Sequence, residues 1–329
     1  MRRLAIIGGG AWGTALACIA ARAGAEIMLW ARNAALVEQI NSRHENPVYL
    51  PGTALDPAIR ATADIAAALA GAEAALLVVP AQFLRSVVAI TAPLPASRLP
   101  LLLCAKGIEL GSLLTMSEIA LELCPDAPVA VLSGPSFAAE AARGLPTAVT
   151  IASRDAALAR AFVAALGSAR FRPYSSDDPI GVEIGGAVKN VIAIACGIVE
   201  GKGLGDNARA ALITRGLAEI GRLGLAKGAK AETFRGLSGL GDLVLTCTGG
   251  QSRNHALGAA LGRGASLAEA LAGRRSIVEG VATAASVAAL AARLGVDMPI
   301  TAAVDGVLHR GLAIDLMIDG LLSRPYRAE

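Results

Sequence analysis

The stretch that decides the fold is Leu4-Ala5-Ile6-Ile7 followed by Gly8-Gly9-Gly10-Ala11-Trp12-Gly13. Four apolar residues without a polar interruption suit a strand buried on both faces. The next six place glycine at the first, third and sixth positions, directly after that strand and at the opening of a helical pattern. Each glycine answers a separate physical demand. Gly8 allows the tight turn, Gly10 lets a pyrophosphate approach the main chain, and Gly13 lets the new helix lie close against the strand. The helix start offers unpaired N–H groups and a partial positive charge, which suit phosphate. Glycine-rich turns are common, so the strand–turn–helix setting is what makes this one a dinucleotide signature.

Working outward, compact apolar runs recur at residues 4–7, 27–30, 75–79, 101–104 and 129–132, with helical patterns at 13–24, 33–41, 82–90 and 114–123 between them. Strands alternating with helices read as a parallel sheet with crossover helices. Further strands at 149–151 and 171–174 flank a helix at 155–166. After Pro179 only helical stretches broken by glycines remain, the first being a long apolar one at 180–199. A helix that keeps Gly181, Gly185, Gly186 and Gly197 gives up about 1 kcal/mol for each relative to alanine, so another backbone must approach it closely. The reading is a doubly wound α/β Rossmann domain over 1–178 and an all-α domain over 179–329, with the functional cleft between them.

Composition bounds the partners. The chain has 329 residues, 54% hydrophobic and 17% charged, with a formal net charge of +3. Neither that charge nor any Lys/Arg run longer than two residues supports binding to nucleic acid or to a membrane surface. The five cysteines are scattered and form no CxxC pair, and the three histidines have no ligand spacing around them, so reduced thiols and no metal are expected. The N-terminus runs straight from a strand into glycines rather than through a signal-peptide pattern, and the expected location is cytoplasmic.

In a fold that selects NAD, an acidic residue stands about 20 positions on, at the end of the second strand. Here that place is Trp30-Ala31-Arg32-Asn33, and Glu26 sits at the opposite end of the strand. Arg32 cannot accept from a ribose hydroxyl but can pair with a 2′-phosphate, so NADP(H) is accommodated; otherwise it is a solvated surface arginine. Lys106 directly follows a buried strand, where it either meets a ligand or snorkels to the surface. Gly134-Pro135-Ser136 follows the next strand and offers open backbone and a hydroxyl, or else forms a plain turn. Lys189 stands in the middle of the long apolar helix, where a charge is costly unless paired. Desolvation lowers a lysine's pKa toward neutrality, as acid–base catalysis requires, while a snorkelling lysine remains the other reading. Asp242, in Gly239-Leu240-Gly241-Asp242, is either a helix cap or a site carboxylate. Ser252-Arg253-Asn254 gathers a hydroxyl, a bidentate cation and an amide, a set suited to a phosphate dianion or to an ordinary helix start.

Five segments in order resemble the bacterial NAD(P)-dependent glycerol-3-phosphate dehydrogenases: the glycine turn, Cys104-Ala105-Lys106-Gly107-Ile108-Glu109, Ser133-Gly134-Pro135-Ser136-Phe137-Ala138, the run Gly181 to Val191 containing Lys189-Asn190, and Gly239 to Asn254. They cover nearly the whole chain. The resemblance implies reversible hydride transfer from NADPH or NADH to dihydroxyacetone phosphate, without a metal, in a homodimer serving phospholipid synthesis. It implies catalytic roles for Lys189, Lys106 and Asp242. Substrate contacts come from Lys106, Gly134, Ser136, Lys189, Asp242, Ser252, Arg253 and Asn254. Cofactor contacts come from Gly8, Gly10, Ala11, Trp12, Gly13, Arg32, Lys106, Ala138, Arg253, Val278 and Glu279. Two departures stand out: Ala11 replaces the family's usual serine, and Gly249-Gly250-Gln251 loosens the approach to Ser252. The alternatives are a β-hydroxyacid or ketopantoate-type dehydrogenase, which also pairs a Rossmann domain with a helical domain and a lysine, and a non-catalytic dinucleotide sensor.

Overall fold

The computed structural model describes residues 1–94, 98–273 and 276–325. Strands β1 (Arg3–Ile7), β2 (Glu26–Trp30), β3 (Glu45–Asn46), β4 (Leu50–Ala54), β5 (Ile59–Thr62), β6 (Ala74–Leu77), β7 (Leu101–Leu103), β8 (Val129–Ser133), β9 (Thr147–Ala152) and β10 (Phe171–Ser176) alternate with helices. Eight of them form one sheet in the order β10-β9-β8-β7-β6-β1-β2-β5, and β3 pairs with β4 in a separate hairpin. From β1 the chain winds outward through β2 to β5, then returns to the other side of β1 and winds out through β6, β7 and β8. The order therefore reverses between β1 and β6, the switch point where ligands lie in open α/β sheets.

The apolar runs of the sequence become these central strands because both sheet faces are covered. Leu4, Ile6 and Leu29 join a core on one face, with Leu16 and Ile19 of the first helix. Ile7, Leu77 and Leu103 join a second core on the other face, with Leu84 and Ile119. Strand β5 and the β3–β4 hairpin were not foreseen. Only every second residue of Ile59-Arg60-Ala61-Thr62 is well buried, as an edge strand demands, so no continuous apolar run marks it. One expectation of orientation needs correcting: β9 pairs antiparallel with β8, so β9 and β10 run against the other six. Between Ser133 and Thr147 the chain makes only a short helix, Ala138–Ala142, and remains at the carboxyl edge instead of crossing back.

Past Ser176 every element among the described residues is helical. The long helix Pro179–Gly201 is buried along almost its whole length. Its length and hydropathy would allow a membrane crossing, but the apolar window lies wholly inside the protein. The close approach that its glycines require is present. A Cβ on Gly197 would lie 2.1 Å from the carbonyl oxygen of His255, and one on Gly258 would lie 2.0 Å from that of Ile194. The helix Arg253–Gly262 therefore lies backbone to backbone against the long helix, and this contact fixes where Ser252, Arg253 and Asn254 begin.

Candidate active site

The glycine turn is built as the sequence requires. Gly8 adopts φ +132°, and a Cβ there would lie 2.7 Å from the carbonyl oxygen of Val78. A Cβ on Gly13 would lie 1.8 Å from the carbonyl oxygen of Gly8, so the helix could not start where it does with any other residue. On the outer face nothing lies within 4 Å of the Cβ position of Gly10. That open face, at the start of the twelve-residue helix Ala11–Arg22, is a cradle with room for a pyrophosphate. Arg32 is exposed at the end of β2. Its neighbour Asn33 uses its side chain to cap the next helix, accepting from the N–H groups of Ala35 and Leu36.

Lys106, Lys189 and Asp242 come together, although they lie far apart in the chain. The strand β7 carries Lys106 to the carboxyl edge of the sheet, the long helix supplies Lys189, and Asp242 opens the helix Asp242–Thr248. A π-helical turn, Leu237–Gly241, precedes Asp242 and no side chain caps the helix there. The Asp242 carboxylate bridges the two cations: Oδ2 accepts from Lys106 Nζ at 2.7 Å, and Oδ1 accepts from Lys189 Nζ. Lys189 also donates to Thr246 Oγ1 at 2.9 Å, and Lys106 to the carbonyl of Gly134 at 3.2 Å. The Ser133 hydroxyl lies 3.4 Å from Asp242 Oδ2. The capping reading of Asp242 and the snorkelling reading of Lys189 do not describe this arrangement. Lys106 side-chain exposure is 17%, against 7% for Lys189 and 1% for Asp242, so the cluster is wet only at the Lys106 end.

Two ammonium groups share one carboxylate, so the cluster carries one net positive charge when both lysines are protonated and Asp242 is ionised. Burial drives the Lys189 ammonium down to about 7; Asp242 opposes this, and the charge on Lys106 adds to it. Burial alone would raise the Asp242 carboxyl, but Lys106 and Lys189 outweigh it and hold the group below the ordinary carboxylate value. The result is a buried ammonium held near neutrality beside a carboxylate that stays ionised.

The remaining candidates border this cluster. Gly134, with φ +144° and its Cβ position 2.8 Å from Val149 Cα, needs glycine for both reasons. Ser136 donates its hydroxyl to the Gly134 carbonyl at 2.9 Å, and Ala138 opens the short helix behind it. Ser252 caps the helix Arg253–Gly262, accepting from the His255 N–H at 3.2 Å. Arg253 Nη1 donates to the Ile277 carbonyl at 2.9 Å. Asn254 bridges inward: its Nδ2 donates to Asn190 Oδ1 at 2.9 Å and its Oδ1 accepts from Gly280 N–H at 3.0 Å. Val278 is buried just before the helix Glu279–Leu294, and Glu279 accepts from the Ala81 N–H at 3.2 Å. Its Oε2 is buried with no hydrogen-bond partner among the described residues. Burial pushes the Glu279 carboxyl up to about 7, against the pull of the Ala81 N–H and the Arg253 charge. Ala81 follows β6, the strand beside β1, so an unsatisfied buried polar group and an open glycine turn stand on neighbouring strands at the switch point. Both features fit an elongated dinucleotide lying along the edge.

Thr246 and Ser133 complete the cluster but were not singled out from the sequence. Thr246 had a readable signal, since it stands four residues after Asp242 and so shares its helix face. Ser133 had none beyond its place at the end of a strand.

A doubly wound sheet with a glycine turn, joined to a helical half that brings a buried lysine to the switch point, defines a dinucleotide-dependent oxidoreductase. Residues 3–159 match the N-terminal region of NAD-dependent glycerol-3-phosphate dehydrogenase, and residues 178–319 match its C-terminal region. The chain belongs to the NAD-dependent glycerol-3-phosphate dehydrogenase family. It is 60% identical to the glycerol-3-phosphate dehydrogenase (NAD(P)+) of Rhodospirillum rubrum, over 99% of this chain and 93% of that protein. The corresponding protein of Parvibaculum lavamentivorans is 56% identical over 100% of this chain and 98% of its own length. Among solved structures, the glycerol-3-phosphate dehydrogenase of Coxiella burnetii superposes with a TM-score of 0.95 at 42% identity, covering 98% of this chain and 99% of that one. Membership of this family removes the ketopantoate-type and sensor alternatives.

Proposed function

We propose that the chain catalyses reversible hydride transfer between NAD(P)H and dihydroxyacetone phosphate, producing sn-glycerol 3-phosphate for glycerophospholipid synthesis. The observation that carries this reading is the Lys106–Asp242–Lys189 cluster at the switch point. The nicotinamide cofactor, when bound, supplies the hydride that reaches the ketone carbon. The chain's own part is to hold the phosphate, polarise the carbonyl and deliver a proton to its oxygen. Lys189 gives that proton from its ammonium form and is left neutral; in the reverse direction the neutral amine takes the hydroxyl proton. Asp242 and Thr246 hold Lys189 in place, and Lys106, the wetter cation, steadies the developing negative charge on oxygen.

The substrate phosphate is assigned to the start of the helix Arg253–Gly262. There a ten-residue helix begins, capped by Ser252 and opened by Arg253, whose guanidinium is anchored on the Ile277 carbonyl. Ser252 accepts as a cap and keeps its own O–H free to donate, so capping and binding are compatible. Gly134 and Ser136 face the glycerol carbons, and Asn254 supports the site through its remaining N–H. The glycine turn with Ala11 and Trp12 takes the pyrophosphate, and Arg32 takes a 2′-phosphate. Ala138, Val278 and Glu279 line the rest of the cofactor's path. Residues 1–178 serve as the dinucleotide-binding unit and 179–329 as the substrate unit. The protein is a cytoplasmic homodimer in this reading, as the family resemblance implies, and light scattering after gel filtration tests the dimer.

The test of the activity is the loss of reduced-nicotinamide absorbance with dihydroxyacetone phosphate, run separately with NADPH and NADH and against 2-keto acids. Rapid oxidation confined to dihydroxyacetone phosphate is expected. Cofactor binding without oxidation of either nicotinamide would remove the substrate assignment.

A further inference from the structure

Asn46 lies outside the main sheet, in the two-residue strand β3, yet it is 0% exposed. A buried amide is costly unless its polar atoms are satisfied. Here Nδ2 donates to the carbonyl of Gly9 at 3.0 Å and to Thr14 Oγ1 at 2.7 Å, while Oδ1 accepts from the N–H of Tyr49 at 3.0 Å. One side chain therefore ties the 45–50 loop to the glycine turn and to the first turn of the helix that follows.

The Gly9–Gly10 peptide gives that tie its meaning. Among the described residues there are no cis peptide bonds, so the Gly10 N–H points opposite to the Gly9 carbonyl. Asn46 holds the carbonyl inward, and the outer side of Gly10 is the open one. We propose that Asn46 is a positioning residue for the dinucleotide: its amide pins the Gly9 carbonyl inward and thereby aims the Gly10 N–H at the pyrophosphate. This rests on the reading that the glycine turn holds NAD(P)H. The requirement is specific to an amide. A carboxylate of the same shape cannot donate to Gly9 and would repel its carbonyl, and a serine is too short to reach both acceptors while accepting from Tyr49.

The experiment measures NADPH dissociation constants by fluorescence for the unaltered protein, Asn46→Ala, Asn46→Asp and Asn41→Ala, with kcat and both KM values. Asn41 is the control. It pins a neighbouring helix to β5 through two hydrogen bonds to Ala61, away from the turn. The two Asn46 variants should bind NADPH about tenfold more weakly or worse, the scale expected when a buried acceptor loses its donor. Their kcat at saturating NADPH and KM for dihydroxyacetone phosphate should stay within about twofold, because the loss falls on cofactor binding alone. Asn41→Ala should melt earlier yet bind NADPH normally. Unchanged NADPH affinity in folded Asn46→Asp overturns the proposal, and so does an equal loss in Asn41→Ala, which would make Asn46 a general brace. Should the Asn46 variants not fold, amide exchange in the unaltered protein decides: Gly10 N–H should exchange fast alone and become protected by NADPH. Protection before NADPH is added overturns the proposal. If the unaltered protein does not bind NADPH, the functional reading falls, and the inference with it.

Discussion

The glycine turn after β1 and the lysine cluster, whose Lys106 follows β7, lie two strands apart along one sheet edge and set opposite structural demands. The turn is defined by main chain, so its requirements are the absence of side chains at Gly8 and Gly13 and a helix start, all within six residues. The cluster works with side chains drawn from a strand end, a long helix and a short helix; Lys106 and Asp242 are 136 residues apart, and Lys189 and Asp242 are 53 apart. The turn is consequently rigid, local and chemically inert, whereas the cluster is a coupled set of charges whose acidity depends on how deeply the two halves bury it. Binding and chemistry are separable in this protein, and substitutions should separate them.

The sharpest separation is Lys189→Ala. Loss of the proton donor should lower kcat about 10³-fold, within the usual range for a general acid, with the NADPH dissociation constant unchanged. A variant retaining full turnover would break the contrast at its centre. Asp242→Asn should cost about 10²-fold in kcat, the scale of a lost electrostatic partner in a buried site, and should also shift the pH profile. In the unaltered protein the reduction needs the ammonium form of Lys189, so its kcat/KM should fall as pH rises through about 7. The reverse oxidation needs the neutral amine and should rise through the same range. Asp242 raises the Lys189 pKa, so its removal should move both limbs to lower pH, as rate profiles measured in each direction would show.

At the glycine turn, Gly13→Ala places a methyl group against the Gly8 carbonyl. It should destabilise the fold by about 1–3 kcal/mol, as overpacking does, and weaken both nicotinamides together. Calorimetry and NADPH titration measure the two effects, and kcat at saturating NADPH should hold. Arg32→Ala is the mildest test. Loss of one exposed charge-assisted contact should shift the NADPH-to-NADH preference by about tenfold or less toward NADH, with no change in the proton-transfer profile. An unchanged ratio would return Arg32 to a solvated surface role.

Legibility in the sequence followed the same division. Strands buried on both faces, the turn glycines and the crowded glycines of the long helix could be read locally, because each depends on a few adjacent residues and their sterics. Strand β5 and the reversal of β9 could not. An edge strand lacks the continuous apolar run, and strand direction depends on where a connection lands. Lys189 could be flagged as an odd charge in an apolar helix, and Asp242 only as a residue in a turn. Ser252 and Asn254 could be read equally as helix start or ligand site, and the structure shows both at work in packing: one caps a helix, the other bridges to Asn190 and Gly280.

By itself, then, the sequence determined a doubly wound domain with a glycine turn, a helical half built for close backbone contact, and the order of motifs that marks the family. Those properties reside in sterics and periodicity, which act over a few residues. Only the tertiary structure decided that one carboxylate bridges Lys106 and Lys189, that burial brings Lys189 to about 7, and that Asn46 reaches across to hold the Gly9 carbonyl. Each is a matter of distance and dielectric between segments remote in the chain, and those quantities do not exist until the two halves have packed.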